Sequence, residues 1–292
     1  MAASSDESYA MPLTVALYSA ASSVAPEYEV MLYVLDAGIT PETRARSETC
    51  LRTSHPKVTL QWVIPDLSDF TELDARRYTV ASFLRLQIPA IVPLDIERVL
   101  YIDCDVVVDD DITQLWALDL GDAPIWAVAD RPRSYFYDRI GFKFKEISAR
   151  KDAPYFNSGV LLMNLNSWRK MNVSENAIAF LYAYCAQLYF PDQDALNAVS
   201  VGKWGELEKR WNAQTHRMNR WCKSTGITHY TSHKPWTLTY TGPRAALFFR
   251  AYYRTGWDTK MRSAFWIGGR ILMQSILRNK KRILRYAKFK QS

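Results

Sequence analysis

Short apolar runs rich in β-branched residues alternate along this chain with segments whose apolar positions recur at helical spacing. Glu29 to Leu35 (E-V-M-L-Y-V-L) reads as a buried strand closed by Asp36-Ala37-Gly38. Val58 to Ile64 is another strand, and Ile125 to Ala129 a shorter one ending in Asp130. Between them, Pro12 to Ala21 predicts a helix with proline in its first turn and Leu13, Ala16, Leu17 and Ala20 on one face. A second helix starts at Thr40-Pro41 and ends before His55-Pro56, and a third covers Thr79 to Gln87 and stops at Pro89. Later, Phe156-Asn157-Ser158-Gly159 leads into a strand over Val160 to Asn164. A long helix runs from about Ser174 to Leu188, and Pro191 opens the next, with Asp192 and Asp194 at its positive end. This alternation predicts an α/β sandwich around a mostly parallel sheet. Residues 131–153, charged and aromatic, predict a mobile loop or lid. Only Met1-Ala2-Ala3 precedes the polar Ser4-Ser5-Asp6, so a first strand is either very short or cut short upstream.

The stretch Arg98 to Val108 (R-V-L-Y-I-D-C-D-V-V-V) is the centre of the pattern. It predicts a strand buried on both faces whose register is interrupted by Asp103 and Asp105. Residues two apart in a strand project to the same side, so both carboxylates aim at one spot. Two ionised acids that close repel each other unless a cation lies between them. Ligands also bind at the carboxyl edge of open α/β sheets. A divalent-metal site is one reading; a strand running into the acidic turn Asp109-Asp110-Asp111 is the other.

Charge changes this picture at the far end. Residues 1–208 carry 18 Lys+Arg against 29 Asp+Glu, whereas 209–292 carry 19 against the single acid Asp258. An acidic body with a basic extension points to contact with an anionic surface. Within 259–292, Ile271, Leu272, Met273, Ile276, Leu277, Ile283 and Leu284 gather mostly on one side of a helical wheel. Arg278, Lys281, Arg282, Arg285 and Lys288 lie opposite, with Lys280 the exception. That is a basic amphipathic helix suited to lying in an anionic membrane surface. The expected division is therefore a body at 1–240 and an extension at 241–292. Scattered cysteines (Cys50, Cys104, Cys185, Cys222), no leader-like start and no long apolar window imply a cytoplasmic protein held peripherally on the inner face of the membrane.

Five blocks in order make a resemblance specific: Ser4-Ser5-Asp6-Glu7-Ser8-Tyr9, Asp103-Cys104-Asp105, Phe156 to Leu162, Asp192-Gln193-Asp194, and His229 to Trp236 (H-Y-T-S-H-K-P-W). The chain resembles glycosyltransferase family 8, retaining enzymes of the Rossmann-like GT-A fold that include lipopolysaccharide galactosyl- and glucosyltransferases and glycogenin. The resemblance implies a UDP-hexose donor, a saccharide or lipid-linked glycan acceptor, and a Mn²⁺ cofactor, with Mg²⁺ as the alternative; nucleic acid is not an expected partner. It implies Asp103, Asp105 and His229 as metal ligands. One residue fewer than the family's spacing separates His229 from Lys234, which leaves His233 as the alternative third ligand. The uridine pocket would use Ser4, Asp6 and Tyr9, with Ser8 departing from the family's frequent Asn, and Lys234 would pair with the diphosphate. Arg85, Cys104 and Asn157 join the nucleotide-sugar contacts, and Arg85, a charge on an apolar segment, needs a carboxylate or substrate partner in any case. Asp192, Gln193, Asp194 and Asp130 fall on the reaction side, with Gln193 or Asp194 where an enzymic nucleophile would be needed.

The resulting expectation is galactosyl or glucosyl transfer from UDP to a saccharide hydroxyl, forming an α-linkage in lipopolysaccharide or cell-surface glycan synthesis. A self-glucosylating primer of the glycogenin type and a non-catalytic basic membrane- or nucleic-acid-binding protein are the alternatives. A nucleotidyltransferase is disfavoured, because no Gly-rich phosphate loop follows the first strand.

Overall fold

The computed structural model describes residues 1–70, 73, 79–130, 135–141, 152–217, 226–237, 240 and 244–257. The small residues Ala2–Ser5 form β1, four residues long and fully buried. After it come α1 (Ala10–Ser22), β2 (Val30–Asp36), α2 (Pro41–Leu51), β3 (Val58–Val63) and the single turn α3 (Ile88–Ile91). The D-x-D stretch contributes β4 (Arg98–Ile102) and β5 (Val106–Val108), and β6 (Ile125–Ala129) follows. The rest is β7 (Phe156–Asn164), α4 (Leu165–Lys170), α5 (Val173–Tyr184), α6 (Pro191–Ser200), β8 (Gly205–Glu206), β9 (Ala213–Gln214), β10 (Ile227–His229) and α7 (Ala245–Thr255).

A seven-stranded sheet has the order β3-β2-β1-β4-β7-β6-β8, and a smaller sheet the order β5-β10-β9. Four of the six pairings in the large sheet are parallel; β7 runs antiparallel to both β4 and β6. The predicted mixed α/β class with a mostly parallel sheet is therefore correct. Side chains along β4 alternate between two cores. Val99 and Tyr101 pack with Trp168, Leu181 and Leu196 on the side of α4, α5 and α6. Leu100 and Ile102 pack with Leu13, Leu17 and Leu51 on the side of α1 and α2. Burying both faces explains why the strand reads as a continuous apolar run. A third core joins Val107, Tyr230 and Phe248 where the small sheet meets α7.

Three expectations are corrected. Arg98 to Val108 is not one strand: β4 pairs in the large sheet and β5 in the small one, so Asp103-Cys104-Asp105 is the crossing between sheets. β-Propensity is high on both sides of the break and cannot reveal a change of partner. Thr79 to Gln87 is not an α-helix but two 3₁₀ turns, Val80–Ser82 and Leu84–Gln87. Pro89 does not stop that segment; it lies in the first turn of α3, where its missing N–H costs nothing. Finally, β7 begins at Phe156 rather than Val160, so the Asn157-Ser158-Gly159 block is itself strand.

Of the expected lid, residues 131–134 and 142–151 lie outside the described residues; Tyr135 bridges to Pro154, and Phe136 and Ile140 are buried. The basic amphipathic helix expected within 259–292 also lies outside them. Among the described residues no helix is long and apolar enough to cross a membrane, and Cys50, Cys104 and Cys185 form no disulfide.

Leu161, fully buried at the centre of β7, tests this architecture. Leu161→Ala should lower stability by about 2–5 kcal/mol, read from the urea midpoint at unchanged m-value.

Candidate active site

The carboxyl ends of β1 and β4, the start of β7, the start of α6 and the loop after β10 surround a cleft of about 580 Å³. Every candidate site residue except Asp194 and the alternative ligand His233 lines it. The blocks separated by up to 230 positions in the chain thus converge because strand ends at one sheet edge converge.

Asp103 and Asp105 sit at the sheet crossing, and β10, antiparallel to β5, carries His229 opposite Val106. One potential ligand atom from each of the three side chains lies within 4.8 Å of the others. His229 Nε2 is 3.2 Å from Asp105 Oδ1 and 3.8 Å from Asp103 Oδ2, while its Nδ1 is 2.9 Å from Asn212 Oδ1. His233, the alternative ligand, is exposed and outside this cluster.

The cluster fits a divalent cation. Two carboxylate oxygens and an imidazole nitrogen form a mixed hard-and-borderline donor set, suited to Mn²⁺ and acceptable to Mg²⁺. Gly159 leaves the room: a Cβ there would lie 2.2 Å from His229 Cε1 and 2.6 Å from Asp103 Oδ2.

Cationic and hydroxyl groups surround the acids. Asp103 Oδ1 accepts from Arg85 Nη2 at 3.0 Å and from the Tyr101 hydroxyl at 2.9 Å. Arg85, buried over the Tyr101 ring, also donates to the carbonyls of Ser82 and Ser158 and lies 3.4 Å from Asp192 Oδ2. This meets the expectation that a buried arginine finds carboxylates. Burial lowers the affinity of Arg85 for its proton, but Asp103 and its neighbours outweigh that and strengthen it. Lys234 Nζ pairs with Asp105 Oδ2 and donates to the Tyr230 carbonyl. Burial alone would raise the Asp105 pKa, yet Lys234 and then His229 hold it well below the usual carboxylate range. The Lys234 pKa moves up: burial opposes this, and Asp105 prevails.

After β1, Asp6 Oδ1 caps a 3₁₀ turn by accepting from the backbone N–H groups of Ser8 and Tyr9. The Tyr9 ring meets Trp236 edge-on at 5.9 Å between centroids. Ser4 Oγ is 3.1 Å from the Tyr101 hydroxyl, and the Cys104 thiol donates to the Ser4 carbonyl. Burial pushes the Cys104 thiol far up, so it stays protonated.

On the opposite wall, Asp130 pairs with Arg139 at 2.8 Å. Asp192 accepts from Ser158 Oγ, and burial raises its pKa. Gln193 Oε1 accepts from Asn157 Nδ2 and from the backbone N–H of Ser158. Asp194 turns away from the cleft: its oxygens accept from the Tyr155 hydroxyl and from the backbone N–H groups of Tyr189 and Phe190.

Sequence reasoning missed Tyr101, Tyr155, Ser158 and Asn212. Tyr101 was within reach, since a residue two before Asp103 shares its side of the strand. Asn212 carries no local signal, because only the fold brings it to His229.

The convergence of five blocks on one cleft can be compared with known proteins. Residues 1–239 match the family model for glycosyl transferase family 8. The chain belongs to this family. It is 32% identical over 282 residues to General stress protein A of Bacillus subtilis (strain 168), a match covering 87% of this chain and 93% of that protein. It is 30% identical over 173 residues to lipopolysaccharide 1,2-glucosyltransferase of Escherichia coli (strain K12), covering 53% of this chain and 49% of that one. Among solved structures, the galactosyltransferase LgtC in complex with donor and acceptor sugar analogues superposes with a TM-score of 0.73 at 28% identity. That match covers 89% of this chain and 98% of the other. The fold is accordingly GT-A-like, and family 8 membership makes the chain a glycosyltransferase.

Gly159→Ala tests the cradle. The added methyl displaces His229 and Asp103, so Mn²⁺ affinity by calorimetry should fall at least about tenfold.

Proposed function

We propose that this family 8 member is a metal-dependent retaining hexosyltransferase. It moves galactose or glucose from UDP to a saccharide hydroxyl, forming an α-linkage in the synthesis of lipopolysaccharide or another cell-surface glycan. The observation that carries this is the meeting of Asp103, Asp105 and His229 with Lys234 in a cleft that also holds the Ser4–Tyr9 block and the Asp192-Gln193 pair. A bound Mn²⁺, or Mg²⁺, would neutralise charge on the departing diphosphate.

The chain's own residues divide the remaining work. Tyr9 offers a ring face to the base, and Asp6 a carboxylate to its edge. Lys234, whose raised pKa keeps it cationic, supplies a point charge to the diphosphate. Arg85 is too fully engaged by protein acceptors to roam, and it holds Asp103 and Asp192 in place for the donor. Asn157, Asp192 and Asp130 line the wall that would face the hexose.

Retention needs either an enzymic nucleophile or front-face departure and attack. The engagement of both candidates favours the second. Gln193 Oε1 already accepts two hydrogen bonds, and the Asp194 carboxylate accepts three. Both lone pairs of Gln193 Oε1 are taken, and Asp194 lies off the cleft with its carboxylate tied to the Tyr155 hydroxyl and two backbone N–H groups, so neither reaches an anomeric carbon without breaking buried contacts. In the front-face route the leaving phosphate oxygen takes the acceptor's proton as the new glycosidic bond forms.

The enzyme's body is residues 1–240, and 241–292 is a basic extension that begins with α7 packed on that body and associates peripherally with the anionic inner face of the membrane, where lipid-linked acceptors are built. The charge balance of 209–292 supports this part.

A UDP-sugar panel scored by UDP release without acceptor tests the reaction. UDP-glucose or UDP-galactose should be hydrolysed with Mn²⁺ and not after chelation. Replacing both acids, Asp103→Ala with Asp105→Ala, should cut the rate by roughly 10³-fold or more; a wild-type rate would remove the proposal. Lys234→Met should lower kcat about 10²-fold, with a smaller change in KM.

A further inference from the structure

Asp194 is buried, lies off the cleft and has no part in the chemistry above, yet it terminates a continuous line of buried polar side chains. Its Oδ2 accepts from the backbone N–H groups of Tyr189 and Phe190, both at 3.0 Å. An acceptor-only group obliges the Tyr155 hydroxyl to donate to Oδ1, and the Tyr155 oxygen then accepts from Gln193 Nε2 at 3.1 Å. Gln193 therefore turns Oε1 toward Asn157 Nδ2, 2.9 Å away. Asn157 turns Oδ1 toward Asn212 Nδ2 at 2.8 Å, and Asn212 is left with Oδ1 facing His229 Nδ1.

Two backbone donors enforce the same direction independently. The Ser158 N–H points to Gln193 Oε1 at 3.0 Å, and the Gly159 N–H to Asn157 Oδ1 at 3.1 Å. Flipping either amide, both of them buried, would set an N–H₂ against a backbone N–H, which costs more than a hydrogen bond normally contributes. The line has one consistent solution.

We infer that Asp194 and Tyr155 are positioning residues for a divalent cation: through Gln193, Asn157 and Asn212 they keep the proton of neutral His229 on Nδ1 and leave Nε2 open between Asp103 and Asp105. The cation part of this inference rests on the metal reading above; the proton placement does not. It also gives Gln193 a task other than nucleophile, that of transmitting direction between the start of α6 and the metal centre. Partners of metal-ligating histidines commonly fix ring tautomer and tune affinity in this way.

The test uses full-length protein labelled with ¹⁵N at histidine, metal-free at pH 9, with the His229 signals assigned by their loss in His229→Gln. Wild type should show a protonated Nδ1 and a bare Nε2. In Asn212→Leu the proton should move to Nε2, where Asp105 accepts it, and Mn²⁺ affinity should fall roughly 10- to 100-fold. Tyr155→Phe, at the far end, should weaken Mn²⁺ about fivefold. A wild-type spectrum with the proton on Nε2 overturns the inference, and so does an Asn212→Leu protein with unchanged tautomer and affinity. Normal affinity in Tyr155→Phe beside a weakened Asn212→Leu overturns the role of Asp194 and Tyr155. Should Asn212→Leu fail to fold, the wild-type spectrum and Tyr155→Phe still decide. If wild type binds no Mn²⁺, the metal reading fails, while the spectrum still settles the proton's position.

Discussion

Everything at this sheet edge answers to the repulsion between Asp103 and Asp105. Two carboxylates about 5 Å apart repel by roughly 3 kcal/mol at an effective dielectric near 20. That is a sizeable part of the ~5–15 kcal/mol that keeps a domain folded. The structure meets the cost by giving each acid its own cation: Arg85 serves Asp103, and Lys234 serves Asp105. Both cations are themselves held by backbone carbonyls, of Ser82 and Ser158 for Arg85 and of Tyr230 for Lys234. The remaining oxygens, Asp103 Oδ2 and Asp105 Oδ1, face His229 Nε2. Negative potential is thereby concentrated on one small volume rather than cancelled.

The same constraint explains the topology at the crossing. If Arg98 to Val108 were one straight strand, Asp103 and Asp105 would share a face but no element could bring a third ligand between them. Ending β4 at Ile102 and restarting as β5 in a second sheet lets β10 run antiparallel to β5 and deliver His229 into the gap. Gly159 of β7 comes close enough on the other side that no Cβ is tolerated. The Cys104 thiol, which donates to the Ser4 carbonyl, fastens the crossing to the end of β1, beside the Ser4–Tyr9 block.

Sequence legibility followed physical cause. Runs buried on both faces, such as Leu32 to Leu35 and Val99 to Ile102, were read correctly as strands because burial on both sides leaves an unbroken apolar signature. The family blocks were legible because they hold many chemically demanding residues in a row. What stayed hidden was partner choice. Nothing in V-V-V after Asp105 says that it pairs with a different sheet from V-L-Y-I before it. Helical propensity at Thr79 to Gln87 lost to packing: Leu84, Arg85 and Leu86 are all buried, so no solvent face exists for an amphipathic helix to keep. Asn212 and Tyr155 were invisible for a further reason. Each matters through a partner more than fifteen positions away, and a single buried amide or hydroxyl has no pattern.

The choice of neutral amides between Asp194 and His229 also follows from the charge already present. A carboxylate placed directly on His229 Nδ1 would be a further buried anion beside the half-buried Asp103 and the buried Asp105, and its desolvation would exceed what one more hydrogen bond returns. An amide carries no net charge but has a donor end and an acceptor end. A row of amides therefore transmits the orientation imposed by a distant carboxylate without transmitting its charge. Asp194 can sit where two backbone N–H groups at the start of α6 stabilise it, while its influence at the metal centre reduces to which nitrogen of His229 holds the proton. Separating the anion that would set direction from the anions that would hold a cation keeps the two sets of buried charge apart.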